Sequence, residues 1–114
     1  MKKVAIPVTK GLLSEYFGQC NHYEFFLIEN GLVRSEEIEI PFRQNIEALL
    51  EWVENKGITD IVVHRIDKNL IKLFSPQRIN IFVGIPIDTP RNLIEDYLNG
   101  NLKSNQQIIS EIID

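Results

Sequence analysis

Tyr23-Glu24-Phe25-Phe26-Leu27-Ile28-Glu29, then Asn30-Gly31, then Leu32 to Ile40, is the stretch from which the architecture is read. The first run is rich in the aromatic and β-branched residues that suit a strand. Asn-Gly is the strongest two-residue hairpin signal, because both central residues of the favoured turn need positive φ. In the return run Glu37 and Glu39 alternate with Ile38 and Ile40, the period-two pattern of a second antiparallel strand. Its glutamates (Glu36, Glu37, Glu39) read as a solvated face.

Beyond the hairpin the period changes. From Gln44 to Lys56, Ile46, Leu49, Leu50 and Val53 fall at i, i+3, i+4 and i+7, one face of an amphipathic helix flanked by Trp52. Asn45 can cap its start, and Gly57 stands where a left-handed C-cap residue belongs. A strand (Asp60 to Val63), a short helix (Lys68 to Ser75, Asp67 as cap and Pro76 as stop) and another strand (Ile79 to Val83) follow. Asp88-Thr89-Pro90 opens a helix to about Asn99, with proline at the first helical position and Gly100 past the end. Asn101 to Gln107 is polar, and Ile108, Ile109, Ile112 and Ile113 then suit one helical face. Before the hairpin, Val4 to Val8 reads as a buried strand. Its Pro7 removes a ladder donor and predicts a nearby edge or bulge. The link from Thr9 to Asn21 is far longer than a usual connection of about four to six residues.

This order predicts an α/β fold: a five-stranded mixed sheet, an antiparallel first hairpin and then βαβαβ, with three main helices. The two helical crossovers join parallel strands, so Val4–Val8, Asp60–Val63 and Ile79–Val83 run together and the hairpin extends the sheet from the first strand's other side. Residues 1–103 form one domain and 104–114 a C-terminal amphipathic extension. Its isoleucines either dock on that domain or form a homo-oligomer contact, since leaving each in water forgoes roughly 1.5–3 kcal/mol.

At 114 residues, with 44% hydrophobic and 25% charged content, the chain can bury a core without staples. A net charge of −4 argues against nucleic acid, whose binding rests on phosphate neutralisation. One cysteine can form neither an internal disulfide nor a four-thiolate metal site, and suits a reducing interior. The basic-then-apolar N-terminus has too short an apolar run for a signal peptide, and no stretch approaches the ~20 apolar residues of a membrane span. A cytoplasmic location, with no membrane partner, is the expectation.

Open sheets of this kind bind ligands outside the carboxyl ends of their parallel strands. The long loop, His64-Arg65-Ile66-Asp67 and Gly84 to Thr89 should meet there. Cys20 and His22, with His64 as a third ligand, could offer sulfur and imidazole to a transition metal. Equally, Cys20 could be a small buried hydrophobe and His64 a ring satisfied by backbone. Lys10 and Arg65, with Gly18 in the same loop, could meet an anionic cofactor, although Asp67 and Asp88 more simply cap the helices that start there. Tyr16 and Phe17 read as packing that holds the loop closed. A metal-dependent nuclease would need a carboxylate on the first strand, and Val4 to Val8 carries none; no third group orients a Cys20–His22 thiol pair, so catalysis is not expected.

Lys3-Val4-Ala5-Ile6-Pro7-Val8 with Leu13-Ser14-Glu15-Tyr16-Phe17-Gly18-Gln19-Cys20, Gly57-Ile58-Thr59-Asp60-Ile61-Val62-Val63, and Tyr97-Leu98-Asn99-Gly100-Asn101-Leu102 resemble the dinitrogenase iron–molybdenum cofactor biosynthesis family, the NifX-like domains. The resemblance covers roughly residues 2 to 103. It implies a ribonuclease-H-like fold, binding or carriage of an iron–sulfur or iron–molybdenum cluster, and a recipient metalloprotein as partner. Where the family has a glycine-rich loop after the fourth strand, this chain has His64-Arg65-Ile66-Asp67, without glycine. A metal-free regulatory or interaction domain of the same fold is the alternative.

Overall fold

The computed structural model describes residues 1–40 and 46–113, the side chains of 46, 47 and 113 excepted. Six strands, β1 (Lys2–Thr9), β2 (Leu12–Leu13), β3 (His22–Glu29), β4 (Leu32–Glu39), β5 (Asp60–Val62) and β6 (Asn80–Phe82), form one mixed sheet. Four helices accompany them: α1 (Ile46–Asn55), α2 (Lys68–Phe74), α3 (Pro90–Leu98) and α4 (Gln106–Ile113). The main order is β4-β3-β1-β5-β6, with β1, β5 and β6 parallel and the β3–β4 hairpin antiparallel on the other flank, as expected.

The sixth strand corrects the expected count of five. Lys10 (φ 53) and Gly11 (φ 78) form a two-residue turn that folds Leu12–Leu13 back onto Val8 and Thr9. Positive φ at both central residues is what such a turn demands, and a lysine there hides the signal that Asn30-Gly31 displays openly. Pro7 is also explained. Its carbonyl accepts from the Ser14 amide at 2.8 Å, so its backbone faces the flank shared by β5 and β2. Pairing with β5 runs through Ala5↔Ile61 and pairing with β2 starts at Val8↔Leu13, so the missing donor falls where one partner hands over to the next. The cap expected at Asn45 lies outside the described residues.

Both faces of the sheet are covered at β1, whose central Val4–Val8 run is apolar and buried throughout. On one face Ala5, Tyr23, Phe25 and Ile61 meet Trp52 and Val53 of α1, Leu70 and Phe74 of α2, and the half-buried Ile108, Ile109 and Ile112 of α4. On the other, Val4, Ile6, Val8, Phe26 and Val62 meet Leu93 and Ile94 of α3. Ile108, Ile109 and Ile112 of the isoleucine stripe therefore pack on the chain's own core.

The C-terminal segment reaches that position through one close approach. Asn105 donates its amide to the Val83 carbonyl at 2.7 Å, Ser104 Oγ accepts from the Val83 amide at 3.0 Å, and Asn105 Oδ1 accepts from the amides of Gln107 and Ile108, capping α4. A Cβ on Gly84 (φ +77) would stand 2.5 Å from Asn105 Cβ. Buried Asp60 anchors the opposite end of the sheet. Its carboxylate accepts from Thr59 Oγ1 (2.6 Å) and Asn80 Nδ2 (3.4 Å), and the Tyr97 hydroxyl lies near it. No helix among the described residues is long and apolar enough to cross a membrane.

Candidate functional site

The three segments expected at the carboxyl rim do meet, and they are laced by backbone. Leu13 N–H donates to the Asp88 carbonyl (2.9 Å), Phe17 N–H to Arg65 (2.9 Å), Arg65 N–H to Glu15 (3.0 Å), and Gly84 N–H to His64 (2.9 Å). Tyr16 and Arg65 thus form a short parallel bridge. Phe17 locks the loop: it is buried, edge-on to Phe74 at 6.0 Å and tilted against Tyr23 at 5.6 Å. Tyr16, expected to share that packing, is instead 43% exposed. In the segment that stands where a glycine-rich loop would be, the Arg65 amide is spent on the Glu15 carbonyl.

Each candidate ligand has its own partner. Cys20 is half-buried against the aromatic core, with its sulfur near the Tyr23 hydroxyl and the Val8 backbone. Burial outweighs the pull of those two neighbours and pushes the thiol above its ordinary range. The Tyr23 hydroxyl, raised by its own burial and then by Cys20, also takes a bond from the Gly18 backbone. Gly18 (φ +89) therefore serves this thiol–phenol contact. His22 Nε2 lies 2.9 Å from Glu24 Oε2, on the sheet face covered by α3. The Cys20–Tyr23 contact belongs to the opposite face. His64 Nδ1 lies 3.0 Å from the Ile85 carbonyl; since a carbonyl only accepts, Nδ1 is the donor, and in the neutral ring Nε2 carries the lone pair. Among the described residues, no group of three or more His, Cys, Asp or Glu is placed to hold a metal ion. Cys20, His22 and His64 thus each lie beside a different partner: Tyr23, Glu24 and the Ile85 carbonyl.

Of the candidate anion contacts, Arg65 is paired and the Lys10 side chain is exposed. Lys10 is an exposed turn residue whose amide donates to Asn21 Oδ1 (3.1 Å). Arg65 donates to Glu111 Oε2 at 2.8 Å, tying the rim to α4. Asp67 caps α2 as expected, through the Asn69 amide (2.7 Å). The cap of α3 is Thr89, and Asp88 accepts from the Thr89 amide and Asn92 Nδ2, which hold its carboxyl below the usual range.

Among the described residues two grooves flank α3, and neither is lined by Cys20, His22 or His64. One, of about 300 Å³, lies between Ile85, Pro86, Leu93 and Lys103. The other, of about 430 Å³, lies between α3 and the β3–β4 hairpin, over Phe26, Val33, Ile94 and Leu98. Sequence reasoning missed the second; Glu24 and Phe26 in one strand with Glu36 in the next were its only trace.

No protein-family model matches the chain. An uncharacterized protein of Methanocaldococcus jannaschii is 26% identical over 87 residues, covering 72% of this chain and 74% of its own. Among solved structures, the crystal structure of PH0822 superposes with a TM-score of 0.79 at 24% identity, covering 90% of this chain and 94% of that one. A protein of M. jannaschii provisionally described as a dinitrogenase gives 0.73 at 22% identity, covering 90% and 93%. A Thermotoga protein provisionally described as NifB, of the DUF35 family, gives 0.70 at 16% identity, covering 91% and 93%. At these identities the likeness establishes a shared fold over nearly the whole chain.

Proposed function

We propose that this protein is a small, non-enzymatic accessory domain related to nitrogenase-cofactor proteins, NifX-like and ribonuclease-H-like in descent, which acts by binding another protein and holds no cluster of its own. The relationship draws on the motif resemblance and on the descriptions carried by two of the structural neighbours. One observation carries the interaction reading: the three candidate ligands lie with separate partners, Cys20 with Tyr23, His22 with Glu24, and His64, through Nδ1, with Ile85. A thiol held above its ordinary pKa is also a poor thiolate donor at neutral pH.

A second reading is favoured by His64 alone. Its Nδ1–H···O=C bond fixes the tautomer that leaves Nε2 free, the arrangement common behind metal-bound histidines. The chain would then supply one ligand to a cluster held mainly by a recipient metalloprotein. Anaerobic purification with iron and sulfide analysis and a visible spectrum separates the two. The interaction reading expects no stoichiometric iron. A bound cluster that is lost in Cys20→Ala/His22→Ala would overturn it, and iron retained only in the presence of a metalloprotein and lost in His64→Ala would establish the second.

A further inference from the structure

The free flank of β4 is an eight-residue strand exposed along its length, and among the described residues no strand pairs with its outer edge. Leu32 and Ile38 are 68% and 69% exposed on it. Edges this long and accessible are templates for another strand. The groove of about 430 Å³ adjoins it: Val33 and Glu36 of β4 form one wall, Arg91 and Glu95 of α3 with its cap Thr89 the other, and Phe26 the floor. The register places Glu24 beside Ile38 and Phe26 beside Glu36 on this face, so an added strand would set alternate side chains along the groove mouth.

Charge decides what can occupy it. Glu24, Glu36 and Glu95 line the groove against a single cation, Arg91. Glu24 is already paired with His22, while neither Glu36 nor Glu95 makes an ion pair among the described residues. A second copy is a poor occupant. Two antiparallel edges related by a two-fold axis normal to the sheet must oppose residues of the same face. Registers centred on Glu36 or Glu37 set that glutamate against itself, and one centred on Ile38 sets Glu37 against Glu39. A register centred on Ser35 straddles the irregularity that separates Leu27↔Ser35 from Ile28↔Val33.

We propose that β4 and the adjoining groove bind an extended segment of a partner protein by strand addition, the segment alternating lysine or arginine with aliphatic residues. This deepens the interaction reading by assigning its surface and the chemistry of the partner. The test is titration of the ¹⁵N-labelled protein with an alternating Lys-Val octapeptide, and separately with its Glu-Val counterpart. The Lys-Val peptide should shift amides of β4 and α3, saturably and with strong salt dependence, and bind at least tenfold more weakly to Glu36→Lys/Glu95→Lys, whose fold is checked by circular dichroism. Equal binding of the Glu-Val peptide, shifts confined to the carboxyl rim, or no saturable shift at millimolar peptide would each overturn the proposal. A stoichiometric cluster in the purified protein would instead overturn the functional reading and leave this titration unaffected.

Discussion

Substituting Gly84 by alanine tests how the C-terminal segment is held. At φ +77 any Cβ carries a left-handed backbone cost of roughly 1–2 kcal/mol. Here the new atom would also lie 2.5 Å from Asn105 Cβ, far inside the contact distance of two non-bonded carbons. Relief requires Asn105 to withdraw, which breaks its 2.7 Å bond to Val83, the Ser104 contact and the cap of α4. Each bond is worth about 0.5–1.5 kcal/mol, and Ile108, Ile109 and Ile112 lose part of their packing. The sum is about 3–5 kcal/mol, bounded by the free energy of releasing α4 altogether. Gly57→Ala is the internal control: its φ is +70 but nothing lies within 4 Å, so it bears the backbone cost alone. Urea denaturation should place Gly84→Ala about 2 kcal/mol or more below Gly57→Ala, and hydrogen exchange should show α4 amides deprotected only in the former. Equal stability of the two variants, with α4 still protected, would refute the reasoning.

Phe17→Ala should cost about 3–5 kcal/mol, because the ring is buried between Tyr23 and Phe74, and should make residues 14–21 the first site of limited proteolysis. Burial, and then Asp60, raise Tyr97 to about 12, so its contribution to stability is complete below pH ~10 and lost as pH climbs through ~12. Tyr97→Phe should be about 1 kcal/mol less stable at neutral pH, and its melting temperature should fall less than the wild type's between those values. Cys20 should be alkylated more slowly than free cysteine at pH 8 and reach the free rate in urea, since burial favours its neutral thiol.

Much of the frame is local and therefore readable. Asn30-Gly31 marks the hairpin turn (φ 55 and 75), Pro90 starts α3, Asp67 caps α2, and the hydrophobic periods separate helices from strands. From these the parallel core and its rim follow by topology. What sequence does not display is pairing at a distance. The turn at Lys10-Gly11 is masked by a lysine in a left-handed conformation. The close approach of Gly84 to Asn105 joins positions with no common motif, as does the reach of Tyr97 to Asp60. The candidate site suffers most. Residue types and topology bring Cys20, His22 and His64 to one rim, but the choice between ligand and satisfied side chain depends on Tyr23, Glu24 and Ile85, whose hydrogen bonds appear only once the strands are packed.

The account rests on those three side chains being held by separate partners. The most direct measurement follows the Cys20 Cβ resonance and the ring nitrogens of His22 and His64 by NMR while one equivalent of zinc is added anaerobically. The prediction is a His64 protonated on Nδ1 before addition, and no change shared by all three residues at equimolar metal. A joint, saturating shift of the thiol and both imidazoles at one zinc per chain would contradict it.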